Sequence, residues 1–168
     1  MLPDDPAPVN KPRALDLFCC AGGASMGLAQ AGFDVTGVDI MPRPSYPFRF
    51  IQADALTVEL GGYDLIWASP PCQAYTTAEH VAHSKRGQGR PDLIPTTRAR
   101  LLTSGIPYII ENVAGAPLAA SRVMLCGSMF GLRVIRHRYF ECSFPLAAPP
   151  HKHVGSLVTG EYMTVTGH

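Results

Sequence analysis

The stretch "ASPPCQAYT" sets Cys72 directly behind Pro70 and Pro71. Two fixed φ angles stiffen the backbone ahead of the thiol. A thiolate presented that rigidly can meet an electrophilic carbon at a set angle, as a nucleophile must. The plainer alternative is a small core residue, which is what a lone cysteine often is. Further along, "YIIENVAG" puts Glu111 and Asn112 at the end of a strongly apolar run. A carboxylate there is costly unless it is paired, or unless its pKa rises so that it can donate a proton. It could also simply cap the next helix. "RHRYFEC" places Arg136 and Arg138 two apart, hence on one face of a strand. There they could flank an anion or a polar ring edge, or form surface ion pairs.

Near the start, "ALDLFCCAGGASMGLAQAGFDVTGVDI" joins an apolar run to a Gly22-Gly23 turn, a segment with helical spacing, and a second apolar run ending on Asp39. This is a β-α-β unit with an acid placed to bind ribose hydroxyls. The dinucleotide fingerprint G-x-G-x-x-G is absent, because Cys20 and Ala21 precede the glycine pair and the next glycine is Gly27. A glycine turn followed by an acid can also be purely structural.

These residues need a scaffold, and the chain supplies one by alternation. "FRFIQADA" and "YDLIWASPP" are strand-like with little polar alternation, as parallel strands covered on both faces are. "PDLIPTTRARLLTSG" predicts a helix with Pro95 in its first turn. "IPYIIENV" is a buried strand, and "RVMLCGSMFGLRVIRHRYFEC" supplies one or two more. The pattern predicts an α/β fold whose mostly parallel sheet binds ligands at the carboxyl ends of its strands. Residues 74 to 90 are polar and glycine-containing, which predicts a mobile loop.

With 168 residues and 46% hydrophobic content, one domain is expected. We divide the chain into a flexible segment 1–13, a catalytic domain 14–145 and an irregular tail 146–168. No run reaches the length of a membrane span and the N-terminus lacks signal-peptide features, so a cytoplasmic protein without membrane contact is expected. Five cysteines without a repeated C-x-x-C spacing predict neither a disulfide framework nor a zinc site. His151 and His153 form a lone H-x-H in a proline-rich tail, which reads as solvated, so no metal is expected. The net charge of +1 gives no overall pull toward nucleic acid. A local basic patch does exist, formed by Lys85, Arg86, Arg90, Arg98 and Arg100.

Taken in order, these stretches resemble the cytosine carbon-5 DNA methyltransferase family over roughly residues 14 to 141. "DLFCCAGG" resembles its first, S-adenosylmethionine-binding motif, and "GVDI" and "QADA" its second and third. "PPCQ" resembles its nucleophile motif, and "ENV" and "RHR" its later catalytic motifs. The resemblance implies a Rossmann-like methyltransferase fold with helices on both faces of the sheet. It implies S-adenosylmethionine as cofactor, with S-adenosylhomocysteine as product. Phe18 would pack on the adenine, Asp39 would hold the ribose, and Asp54 would accept from the adenine amino group. Gly22, Gly23, Ile40 and Pro71 would complete the pocket. Cys72 would be the nucleophile, Glu111 the acid beside the target ring, and Arg136 and Arg138 its supporting cations. Cys19 and Cys20 then become walls of the cofactor loop rather than reactive thiols. Cys20 stands where the family has glycine, at a turn where a side chain tolerates positive φ poorly.

The implied reaction is methylation of cytosine carbon 5 in a nucleotide flipped out of duplex DNA, through a covalent Cys72 adduct. About 30 residues follow "RHR", and neither a target-recognition region nor a final motif is legible in them. The expectation is a truncated chain, a chain completed by a protein partner that supplies recognition, or a minimal form binding DNA weakly and with little sequence preference. Two further possibilities are a non-catalytic cofactor-binding module and a methyltransferase acting on a free pyrimidine nucleotide.

Overall fold

The computed structural model describes residues 10–75, 91–153 and 160–163. Arg13–Leu17 forms β1, and its last four residues are buried, which is why the run carries so little polar alternation. It begins one residue ahead of the predicted domain boundary, because Arg13 pairs with Asp34. The other strands are β2 (Asp34–Asp39), β3 (Arg49–Gln52), β4 (Leu65–Ala68), β5 (Tyr108–Asn112), β6 (Val123–Leu125) and β7 (Arg138–Cys142). They form one sheet in the order β3-β2-β1-β4-β5-β7-β6. The first five are parallel, and β7 runs antiparallel between β5 and β6.

α1 (Gly23–Gln30) starts at Gly22, whose φ of 86° belongs to the left-handed region. That position also needs glycine for space, since a Cβ there would lie 3.0 Å from the Tyr46 ring. α2 (Ile94–Ser104) takes Pro95 in its first turn, where a missing N–H costs nothing, and stops at Gly105 with φ 67°. The connections β1-α1-β2 and β4-α2-β5 step outward from the sheet centre in opposite directions. Right-handed crossovers therefore place the two helices on opposite faces. The core divides accordingly. Ile94 and Leu101 of α2 pack with Leu15, Leu17, Ile66, Ala68 and Ile110. Leu28 of α1 packs with Ala14, Val35 and Leu65. The mostly parallel α/β sheet with helices on both faces is the architecture that the sequence pattern and the resemblance lead one to expect.

The loop predicted over 74–90 falls mostly on residues outside those described. Lys85, Arg86 and Arg90 lie there too. One part of the sequence reading needs correction. Arg98 and Arg100 are not free to form a basic patch. Arg98 makes two bonds to the buried Glu141, at 2.7 and 2.6 Å, and one to the Pro117 carbonyl at 2.7 Å. Arg100 donates to the carbonyls of Ala55 and Val58. On a helix packed against the sheet, a long cationic side chain satisfies the chain's own buried acceptors before it reaches solvent. The described part of the tail is irregular, as expected, and one residue of it is bonded to the segment ahead of β7. Met163 N–H donates to Arg133 O at 2.8 Å and Ile135 N–H to Met163 O at 3.0 Å. Among the described residues no helix is long and apolar enough to cross a membrane.

Candidate active site

In an open parallel sheet a crevice forms where neighbouring strands send their connections to opposite faces, here beyond the carboxyl ends of β1 and β4. A cavity of about 470 Å³ opens there, lined among others by Asp16, Phe18, Cys72, Glu111, Arg136 and Arg138. A larger opening of about 970 Å³ lies at the amino ends of β1 and β2, beside Lys11, Arg13 and Asp34. It holds none of the candidate catalytic residues.

Cys72 begins a single 3-10 turn, Cys72–Ala74, capped by Pro71. The buried Asn112 holds this turn in place, its side-chain amide donating to the Pro70 carbonyl at 2.8 Å. Glu111, adjacent to Asn112 on β5, points into the cavity and pairs with Arg138, Oε1 to Nε 2.9 Å. Burial pushes the Glu111 carboxyl above its usual range, against the pull of Arg138, a Ser69 hydrogen bond and Arg136. Burial also pushes the Arg136 guanidinium down, and Arg138 adds to this while Glu111 and Cys72 oppose it. All four candidate catalytic residues thus meet at one cavity. Strand pairing brings this about, since Glu111 lies opposite Phe140 in the β5–β7 ladder, two residues from Arg138.

The cofactor candidates divide. Phe18, Gly23 and Pro71 line the cavity. Asp39 does not. Its Oδ2 accepts from Cys20 N–H and Arg43, both at 3.0 Å, and its Oδ1 accepts from Met41 N–H at 2.9 Å. It closes the β1 loop onto β2. Ile40 is 65% exposed beside it. Asp54 accepts from Leu56 N–H at 2.8 Å and closes its own turn. Gly22 supplies the bend rather than the lining.

Cys19 and Cys20 are cavity walls, as the resemblance implies. Burial beside Asp16 pushes the Cys19 thiol up to about 12. Cys20 has φ 48° and Phe18 φ 62°, so two residues with side chains occupy the left-handed region in this loop. That is a strained arrangement.

Sequence reasoning missed Asp16. It is fully buried in β1 and lines the cavity; its Oδ2 accepts from the Ser25 hydroxyl, while Oδ1 is buried without a hydrogen-bond partner. Burial pushes its carboxyl up to about 7, against the Ser25 hydrogen bonds. The signal was an acid inside an otherwise apolar strand, "ALDLF". Asn112 was noted but given no role, because its partner, the carbonyl of Pro70, lies 42 positions away in the chain.

The architecture is matched by solved structures. A mutant form of DNMT2 from Spodoptera frugiperda superposes with a TM-score of 0.51 at 19% identity, covering 94% of this chain and 56% of that one. The S. pombe Dnmt2 methyltransferase gives a TM-score of 0.52 at 17% identity, covering 88% and 54%. In sequence, the chain is 29% identical over 134 residues to the type II methyltransferase M.HgiDI of Herpetosiphon aurantiacus, which spans 71% of this chain and 42% of that protein. The chain therefore spans about half the length of the proteins it matches. No protein-family model matches it. The chain thus has the fold of these solved methyltransferases and is similar in sequence to part of a type II methyltransferase.

Proposed function

We propose that the chain is the catalytic part of a methyltransferase that methylates carbon 5 of cytosine in DNA through a covalent Cys72 adduct. The supporting observation is that Cys72, Glu111, Arg136 and Arg138 surround one cavity at the carboxyl ends of the central strands.

The residues present fit S-adenosylmethionine. Asp16 Oδ1 is a buried acceptor without a hydrogen-bond partner beside the cavity, suited to an ammonium group. The Gly23 backbone has nothing within 4 Å of where a Cβ would stand, so a ligand can approach it closely. Phe18 offers an apolar wall, with Asp39 holding the loop from behind. When bound, the cofactor supplies a methyl group on a sulfonium centre.

The chain's own residues do the rest. Cytosine carbon 5 is a poor nucleophile until the Cys72 thiolate adds to carbon 6 and makes the ring enamine-like. In its protonated form, which burial favours, Glu111 donates toward ring nitrogen 3 and drains the charge that builds there. Arg138 orients Glu111 through the 2.9 Å pair. After carbon 5 has taken the methyl, its proton passes to water, the C–H pair restores the 5,6 double bond, and the carbon 6–sulfur bond breaks to release the Cys72 thiolate. Within a duplex the ring face is stacked away from any buried thiol, so the nucleotide must be flipped out.

The test is a duplex oligonucleotide carrying 5-fluorocytosine, incubated with the chain and S-adenosylmethionine. Fluorine at carbon 5 blocks the elimination, so a covalent adduct should accumulate, and peptide mapping should place it on Cys72. An adduct on another cysteine, or turnover without any adduct, refutes the mechanism. Parallel assays with RNA and with cytosine mononucleotide as acceptors identify the substrate class.

A further inference from the structure

Four side chains that do not line the cavity converge at the connection between β6 and β7. Cys126 follows β6 and is 2% exposed. His137 stands between Arg136 and Arg138. His151 and His153 come from the tail behind Pro149 and Pro150. Their ligating atoms all lie within 4.8 Å of one another. His151 Nε2 is 3.2 Å from His137 Nε2 and 2.8 Å from His153 Nε2, and Cys126 Sγ is 3.4 Å from His153 Nε2.

Hydrogen bonding alone explains this poorly. An imidazole nitrogen carries either one hydrogen or one lone pair. His151 Nε2 faces two others at once, so at least one of the contacts must be shared or repulsive. A cation at the common centre satisfies all four donors together.

We propose that Cys126, His137, His151 and His153 form a closed tetrahedral zinc site. Zinc bonds of about 2.0–2.1 Å to nitrogen and 2.3 Å to sulfur place tetrahedral donors roughly 3.3–3.6 Å apart. The separations of 3.2 and 3.4 Å lie near that range, while the 2.8 Å contact between His151 and His153 and the widest pairs, up to 4.8 Å, would have to adjust by rotation of the exposed His151 ring. One thiolate with three imidazoles suits zinc, whereas magnesium and calcium take oxygen donors. Four protein ligands leave no open position, so the metal is structural. On binding, the Cys126 thiol gives its proton to solvent and the three imidazoles ligate as neutral rings. Ser128 hydroxyl donates to Cys126 Sγ at 3.4 Å and supports the thiolate.

The site joins three separate segments. It fastens the tail to the hairpin close to where Met163 pairs with Arg133 and Ile135. Because His137 is flanked by the two arginines that line the reaction cavity, the metal also fixes the segment that aims them.

The experiment uses the untagged full chain, purified under reducing conditions, with metal content measured by mass spectrometry. Metal-free protein is then titrated with zinc against a chromophoric chelator, and separately with cobalt. One zinc per chain is expected, and cobalt should give the strong visible bands of tetrahedral coordination with a thiolate charge-transfer band. Cys126→Ser and His151→Asn should each weaken zinc binding by at least about a hundredfold, the upper end of what losing a supporting second-shell contact costs. His151 is exposed, so its variant should keep the fold by circular dichroism. No zinc uptake by the folded wild type, wild-type affinity in the folded His151→Asn variant, or octahedral cobalt without a thiolate band each overturns the site. The outcome is independent of the adduct test on Cys72.

Discussion

Arg138 Nε lies 2.9 Å from Glu111 Oε1, an ion pair spanning β7 and β5 at the mouth of the cavity. It holds Glu111 in place while burial keeps the carboxyl above its usual range. A group that must carry a proton to donate it loses function as pH rises through its pKa. Turnover should therefore fall through the raised Glu111 pKa. Glu111→Gln should lower kcat by about 10²- to 10⁴-fold, the usual scale for general acid catalysis, and remove that dependence. Arg138→Ala removes the opposing charge, so the alkaline limb should move to higher pH. An unchanged pH–rate profile in Glu111→Gln would show that another group donates.

Asp16 predicts a stability effect of definite sign. Its carboxyl is raised from 3.8 to about 7, with burial as the largest cause. Between those values the folded chain keeps a proton that the unfolded chain has released. Stability should increase as pH falls from about 7 toward 4, by on the order of 4 kcal/mol at about 1.4 kcal/mol per pH unit, and level off above 7. Asp16→Asn should abolish the trend and be the more stable form at high pH. Urea unfolding of both proteins at acidic and alkaline pH measures this. An equal pH slope in the two would assign the effect elsewhere.

Cys20, at φ 48°, should be improved by glycine. Left-handed backbone costs a side-chain-bearing residue about 1–2 kcal/mol, while glycine gives back part of that in unfolded-state entropy. Cys20→Gly should raise stability by about 1 kcal/mol or less, and Cys20→Val should lower it. The midpoints of thermal unfolding decide the order of the three.

Arg98 should prove structural. Removing it leaves the buried Glu141 unpaired, and breaking such a pair costs about 3–5 kcal/mol, toward the low end here because Arg98 is partly exposed. Arg98→Ala should be strongly destabilised, and adding Glu141→Leu should restore much of the loss. The salt dependence of DNA binding should be the same for wild type and the double variant. A shallower slope in the double variant would return Arg98 to the phosphate contacts.

The sequence by itself determined the order of strands and helices along the chain and singled out Cys72, Glu111, Arg136 and Arg138, which line one cavity, but not Asp16 beside them. Parallel strands covered on both faces must be continuously apolar, so Leu15, Leu17, Ile66 and Ile110 announce themselves. A proline pair ahead of Cys72 and an acid ending an apolar strand are equally local facts. What only the tertiary structure decided was partnership across long separations. Asp39 was legible as the end of β2, but its engagement by Cys20 N–H and Arg43 depends on how two loops meet. Arg98 and Arg100 looked like a basic patch until the sheet brought Glu141 and the carbonyls of Ala55 and Val58 against α2. Of Cys126, His137, His151 and His153 only the last two show a motif spacing, because the four come from three segments that the fold brings together. Local patterns are set by the 2-residue and 3.6-residue periods of strand and helix. Whether a polar group is buried, paired or ligating depends on which distant segment lies against it, and the packed chain alone supplies that.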